Sequence, residues 1–340
     1  MTDQMRAVRL YAAGDLRLEE IPAPSDPSEG YVNLKVRAAG ICGSDLHNYR
    51  TGQWISRSPS VAGHEFCGVI DAAGAGVSSL LVGDTVIADS RFWCGECRQC
   101  RDGYTNACEV LGFVGEICDG GFADLVQLPA RLVHRHSPTV PSKVAAMAEP
   151  LAVALHALRK LRVPSCEPVL ILGCGTIGGL AAILLSRLHD GIVLLADINR
   201  EKAGFVAGLI DGVVIDMDKA SISAATSGRP LRYALDATGS VKAISTLLDL
   251  LDGGGALGLV GIGHGSIDLD PNTLVEREIA LVGCHAFIDE LPEAVALLDD
   301  LQPLLCQVSE VITLEDVPAA YERLIDSGSQ QLKTIVAIAD

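Results

Sequence analysis

Val169-Leu-Ile-Leu-Gly173-Cys-Gly175-Thr-Ile-Gly178 is the stretch that decides the fold of this 340-residue chain. An apolar run enters a Gly-x-Gly-x-x-Gly turn, and an uncharged stretch continues to Leu185. A short apolar run bounded by glycine reads as a buried strand, and the longer run behind it as a buried helix. The first glycine allows the tight turn. The second lets backbone approach a pyrophosphate, and the third permits close helix–strand packing. The helix start then offers unpaired N–H groups to phosphate. Gly173, Gly175, Thr176, Ile177 and Gly178 are therefore candidate dinucleotide-binding residues. The next apolar run, Ile192 to Ala196, ends at Asp197, about 20 residues past the last glycine. An acid there holds ribose hydroxyls and repels a 2′-phosphate, which predicts NAD rather than NADP. The uncharged stretch Pro168 to Leu185 approaches the length of a membrane span, but its glycines favour strand, turn and helix.

Outward from this motif, apolar strands are expected at 168–172, 191–196, 231–236, 255–262 and 279–285. Helices are expected between them at 176–189, 199–209 and 240–251. Apolar strands alternating with helices predict an α/β fold, a doubly wound parallel sheet covered on both faces. Further helices are expected at 289–301 and 315–326, and a closing strand at 332–338. Residues 142–161 read as helical, with Pro150 as a kink or break. The first ~150 residues read as mainly β. Strands at 6–20 and 31–38 flank a Pro/Ser/Asp/Gly-rich stretch at 22–30, and a loop-rich segment covers 89–121.

The length suits two domains at about 150 residues each. With 49% hydrophobic and 20% charged residues the chain can fill well-buried cores. A net charge of −17 argues against nucleic acid or an anionic membrane as partner. Eleven cysteines cannot all pair, and the polar start Met1 to Leu10 has no signal-peptide pattern. Both predict a reducing, cytoplasmic location, where thiols serve as metal ligands or small buried hydrophobes.

Two groups of residues have metal-ligand character. Cys94, Cys97, Cys100 and Cys108 lie in one short stretch. Four thiolates can close a tetrahedral all-sulfur shell around zinc, a structural type of site. The other group is dispersed: Cys42-Gly-Ser44-Asp45-Leu-His47, Gly63-His64-Glu65 and Glu149-Pro150. Three such ligands with one open position form the catalytic zinc pattern. Taken singly, Cys42 also reads as a small buried residue, His64 as a core imidazole, and Glu65 and Glu149 as surface acids.

Together these motifs resemble the zinc-dependent medium-chain alcohol/polyol dehydrogenases, sorbitol dehydrogenase-like, over essentially the whole chain. The matching residues are Cys42-Gly-Ser-Asp45-Leu-His47, Gly63-His-Glu65, the 94/97/100/108 cysteines, Glu149-Pro-Leu-Ala-Val-Ala-Leu-His156, Gly173-x-Gly-x-x-Gly178, Asp197 and Thr238-Gly239. The resemblance implies a GroES-like zinc catalytic domain at 1–150 and 288–340, and a Rossmann NAD-binding domain at 151–287. It implies a catalytic zinc on Cys42, His64 and Glu65, with Glu149 as a ligand directly or through water, and a structural zinc on the four clustered cysteines. Asp45 would orient the His64 imidazole. Ser44 and His47 would relay a proton from the substrate hydroxyl, whose pKa the zinc lowers, while NAD takes the hydride. Lys202 would contact the ribose, and Thr238, Val260, Gly261, Ile262, Cys284 and His285 would line the cofactor.

The implied activity is interconversion of a secondary alcohol of a polyol or sugar alcohol with its ketone, in the class EC 1.1.1.-. Polyol relatives often read His-Tyr-Tyr where this chain has His47-Asn48-Tyr49, and no Arg stands near Cys284 to Phe287. These departures point to a different stereoisomer or a cyclic polyol; an amino alcohol or sugar phosphate remains a wider alternative, although the acidic surplus argues against a phosphate, which would want cationic partners. A zinc-free quinone reductase or a non-catalytic nucleotide-binding protein would lack Cys42, His64 or Ser44. The resemblance implies a homodimer or homotetramer through paired edge strands, and Ala280-Leu-Val282 is an apolar candidate edge, although an internal strand reads the same.

Overall fold

The computed structural model describes residues 4–263, 265–329 and 331–339. Met1 to Asp3 and Asp340, which the sequence reading assigns to the N-terminal stretch and the catalytic domain, lie outside the described residues. The chain divides into two compact units, one of residues 4–149 with 291–339, the other of residues 150–290.

In the first unit the strands run in the order Val133–Arg135, Thr85–Ala88, Glu65–Ala73, Tyr31–Ile41, Lys333–Ala337 and Ser309–Thr313. Leu125–Pro129 pairs along the first half of Tyr31–Ile41, from Tyr31 to Lys35, while Lys333–Ala337 takes the far half, from Ala38 to Ile41. A three-stranded sheet of Asp15–Pro22, Gln4–Ala12 and Ser60–Val61 completes the unit. Its core joins Val8, Val32, Leu34, Val36, Phe66, Ile70 and Phe122 to Val317, Tyr321 and Val336 from the C-terminal stretch.

In the second unit six parallel strands run Val213–Val214, Val193–Ala196, Val169–Leu172, Tyr233–Asp236, Ala256–Leu259 and Ala280–Gly283. This is the strand order of a doubly wound dinucleotide-binding sheet. Thr176–Leu188 is a helix of modest length, and no described helix is long and apolar enough to cross a membrane.

The expected helix at 142–161 requires a correction. It is two helices, Ser142–Ala145 and Ala148–Leu161, and the break falls ahead of Pro150. Pro150 sits in the first turn of the second helix, where an N–H has no intrahelical acceptor to lose, so it neither kinks nor ends the helix. The strand Ser309–Thr313 and the helices Lys219–Thr226 and Pro271–Arg277 were not expected from the sequence.

Candidate active site

The sheet of the first unit brings distant residues to one place. Ile41 ends its strand and Cys42 caps the helix Gly43–Thr51. Asp45, in the first turn, accepts a hydrogen bond from the Cys42 backbone N–H at 2.9 Å through Oδ2. Its Oδ1 lies 3.2 Å from Nδ1 of His64. One carboxylate thus stabilises the helix start and orients the imidazole. Burial alone would lower the His64 pKa, but the charges of Asp45 and Cys42 raise it well above the ordinary value.

Glu65 opens the neighbouring strand, in register with Gly40. Its carboxylate is fully buried and ion-paired to Lys333, itself 2% exposed. Burial lowers the Lys333 pKa, and the Glu65 charge more than compensates, keeping the ammonium charged. A Cβ on Gly40 would run into both side chains of this pair. Ligand atoms of Cys42, His64 and Glu65 all lie within 4.8 Å of one another, a spacing that can hold a metal ion. Glu149, whose ligand status the sequence left open, falls outside that group. It is buried at the start of Ala148–Leu161 and accepts a 2.6 Å hydrogen bond from Ser90 Oγ. Burial pushes it up to about 7; the His64 charge lowers it and the Glu65 charge raises it, so it shares the same electrostatic neighbourhood.

Ser44 lies half-buried in the first turn of Gly43–Thr51, and His47 is buried one turn later. His47 Nε2 is 3.0 Å from Gln53 Oε1, and the ring packs on Trp54 at 4.6 Å between centroids. Asn48, where polyol relatives often carry an aromatic, uses its side-chain oxygen to accept the Trp54 backbone N–H at 2.9 Å. The residue therefore braces the loop behind its helix.

The cysteine lobe is a separate, closed cluster. Cys94 and Cys100 sulfurs are 4.0 Å apart, Cys97 and Cys108 4.0 Å, and Cys94 and Cys108 3.6 Å. A tetrahedron with metal–sulfur bonds of ~2.3 Å has edges of about 3.8 Å, so these separations fit zinc. Backbone N–H groups of Glu109 and Cys100 lower the Cys97 pKa and that of Cys94 lowers Cys108, which favours thiolates at these two, whereas burial pushes Cys100 up to about 12. At the base of the lobe Arg91–Phe92 pairs with Gly112–Phe113, and the buried Arg91 is salt-bridged to Asp89 at 2.8 Å. All eleven cysteines are free thiols here.

In the second unit the glycine motif forms the turn the sequence predicted. Gly173 has φ +94°, and a Cβ on Gly178 would collide with the Gly173 carbonyl. At Gly175 nothing stands within 4 Å of a Cβ position, which leaves the close approach a phosphate needs. Asp197 accepts hydrogen bonds from the backbone N–H of Cys174 at 2.6 Å and of Asn199 at 2.7 Å. Arg200 is ion-paired to Asp216. At the carboxyl ends of the strands, the space a Cβ at Gly261 would need is filled by the Thr238–Gly239 backbone, and the Cys284 N–H bonds Leu259 O at 2.9 Å. These segments are thus gathered at the sheet's ligand-binding edge.

The sequence reading missed three site residues. Lys333 is a lone lysine in a strand far from any motif. Asp236, fully buried, organises the 238–239 turn by accepting from Thr238 Oγ1 at 2.6 Å and the Gly239 N–H at 3.0 Å. Glu116, in the loop after the cysteine lobe, carries a carboxyl that burial pushes up to about 7, with the His64 charge lowering and the Asp45 charge raising it.

A six-stranded dinucleotide sheet, joined in one chain to a β unit bearing a buried Cys-His-Glu cluster, defines the metal-dependent dehydrogenases as a class. Comparison with known proteins narrows this. The family model for the alcohol dehydrogenase GroES-like domain matches residues 28–139, and that for zinc-binding dehydrogenase matches 179–300. A zinc-type alcohol dehydrogenase-like protein of Haemophilus influenzae is 31% identical over 98% of each chain. Sorbitol dehydrogenase of Bacillus subtilis is 27% identical, covering 98% of this chain and 97% of its own. L-galactonate-5-dehydrogenase of Escherichia coli is 30% identical, covering 93% and 94%. Among solved structures, a zinc-binding dehydrogenase from Sinorhizobium meliloti bound to NADP has TM-score 0.90 at 25% identity, over 98% of this chain and 99% of that one. The 2R,3R-butanediol dehydrogenase of Bacillus subtilis has TM-score 0.90 at 26% identity, with the same coverage. The chain belongs to the zinc-type medium-chain alcohol/polyol dehydrogenase family, oxidoreductases that use zinc and NAD(P).

Proposed function

We propose that this chain is an NAD-dependent polyol dehydrogenase that interconverts a secondary alcohol of a polyol or sugar alcohol with its ketone. The convergence of Cys42, His64 and Glu65 on one buried point, with Asp45 bridging to His64, carries the reading. Zinc there would lower the pKa of the substrate hydroxyl, and NAD would accept hydride from its carbon. Cys42, His64 and Glu65 would hold the metal, Glu149, outside their group, would act on it through water, and Lys333 fixes the Glu65 carboxylate. Ser44 takes the hydroxyl proton, and His47, seated by Gln53 and Trp54, passes it to solvent. Cys94, Cys97, Cys100 and Cys108 hold a second zinc that only braces the lobe.

On the nucleotide, Gly173, Gly175, Thr176, Ile177 and Gly178 cradle the pyrophosphate and Asp197 the ribose, with Lys202 beside it. Thr238, Val260, Gly261, Ile262, Cys284 and His285 line the nicotinamide end. Two observations support NAD over NADP: Asp197 is fixed by two backbone N–H groups, and Arg200 is already engaged by Asp216. The strand Ala280–Gly283 is an open edge of its sheet with an exposed apolar side, which supports assembly with a second copy through that strand. The eleven free thiols suit a reducing, cytoplasmic setting.

The test is Cys42→Ser against a panel of linear and cyclic polyols. NAD reduction should vanish, NAD binding should persist, and bound zinc should fall from two ions per chain to one, as two ligand groups require. Full turnover by the metal-free variant would sink the zinc role.

A further inference from the structure

The loop that follows the cysteine lobe is stitched to the segment that delivers His64. Ser60 Oγ donates to Gly115 O at 2.9 Å, and Ser56 Oγ donates to Glu116 O at 3.0 Å. The Gly121 N–H donates to Gly63 O at 2.8 Å, and Arg57 is salt-bridged to Asp119 at 2.8 Å. Gly115, at φ +87°, packs so closely that a Cβ there would lie 3.2 Å from the Gly63 nitrogen. The residue between these anchors, Glu116, is therefore held at a fixed place against the Ser56–Gly63 segment that leads into His64. Its side chain is half-buried, and its carboxyl feels the charges of both His64 and Asp45. Among the described residues its side chain has no hydrogen-bond or ion-pair partner; only its backbone is bonded. A half-buried acid whose oxygens are unengaged by protein groups, near a metal-ligand group, is available to a ligand. Family relatives are named both for an uncharged polyol, sorbitol, and for an anion, galactonate. The charge of the groups around the site separates these two classes.

We propose that Glu116 is a specificity-determining residue: held beside His64, its carboxylate accepts hydrogen bonds from the hydroxyls of an uncharged polyol and repels alcohols that carry a carboxylate or a phosphate. The inference rests on the polyol reading above and names the substrate class within it. The acidic surplus of the chain, −17, acts in the same direction at longer range.

D-sorbitol and D-gluconate, of equal carbon chain length, are the probes. The zinc-loaded enzyme is assayed with NAD for kcat and KM, and by calorimetry for binding. Wild type prefers sorbitol. Glu116→Gln keeps the shape and removes the charge. It narrows the sorbitol-to-gluconate ratio of kcat/KM by about tenfold or more, the scale of like-charge repulsion in a partly buried site. The change falls on KM, with kcat nearly unchanged, whereas a purely structural role would lower the melting temperature and leave the ratio alone. Glu116→Asp keeps the wild-type preference. A ratio unchanged in Glu116→Gln, or a wild type that prefers gluconate, overturns the proposal. If wild type oxidises neither these probes nor any polyol of the panel, the polyol reading fails, and calorimetry decides Glu116 separately. Tighter gluconate binding in Glu116→Gln supports the assignment, and unchanged gluconate binding overturns it.

Discussion

Lys333 and Glu65 form a fully buried ion pair of which neither residue announces itself in the sequence. His64 and Cys42 were legible because their neighbours Gly63, Ser44 and Asp45 make recognisable local patterns. Lys333 had no such pattern, and its role exists only because two strands distant in sequence lie side by side. Removing one partner strands a buried charge, which costs about 3–5 kcal/mol. Lys333→Met should therefore lower the urea midpoint of the metal-free protein sharply. The double variant Glu65→Gln, Lys333→Met should recover much of that loss, because no unpaired charge remains. A Lys333→Met midpoint equal to wild type would show that the pair is not formed in solution. Gly40 belongs to the same arrangement, since Glu65 and Lys333 occupy the space a side chain would need.

At the scale of elements, the apolar strands of the second unit were legible because each is buried on both faces and reads as a continuous hydrophobic run. The helices Lys219–Thr226 and Pro271–Arg277 were not, being short, polar and more strongly signalled by their caps than by periodicity. Asp218 and Asp270 each accept a first-turn N–H. Pro150 misled for the opposite reason, a strong local signal whose meaning depended on where the helix began. That helix, Ala148–Leu161, is tied at His156 to Glu290, with Nδ1 and Oε1 2.9 Å apart. Burial raises the Glu290 carboxyl, but His156 and the Ile288 N–H outweigh it and hold it down at about 2. A depressed acid contributes stability that is present above its unfolded value, about 4.5, and is lost as pH falls toward 2. With Glu290 only 5% exposed, the contribution is about 3 kcal/mol. The melting temperature of wild type should exceed that of Glu290→Gln at pH 6, and the gap should narrow steadily as pH drops from 4.5 toward 2. A gap independent of pH would assign the difference to shape rather than charge.

For the whole molecule, the parallel sheet of the second unit was legible in the alternation of strands and helices after Pro168, whereas its strand order was not. The return of residues 291–339 to the first unit came only from resemblance, because pairing between Lys333–Ala337 and Tyr31–Ile41 leaves no local trace. The exposed strand Ala280–Gly283, with Leu281 36% and nearby Val275 71% exposed, is a whole-molecule feature of the second unit. Leu281→Asp should shift the mass measured by light scattering from an oligomer to a monomer, since charge on an edge strand opposes pairing. An unchanged mass would place any interface elsewhere. The pairing of Lys333 with Glu65 also orders events during synthesis. Residues 150–290 emerge from the ribosome as a contiguous unit and are free to fold at once, whereas the first 149 residues must wait. At about 5–20 residues per second the Glu65 carboxylate spends tens of seconds without its lysine. Completion of the proposed metal site is therefore timed by the last strand to be made, and a chain stalled after the nucleotide unit would carry all of the proposed ligands but not the lysine that fixes Glu65.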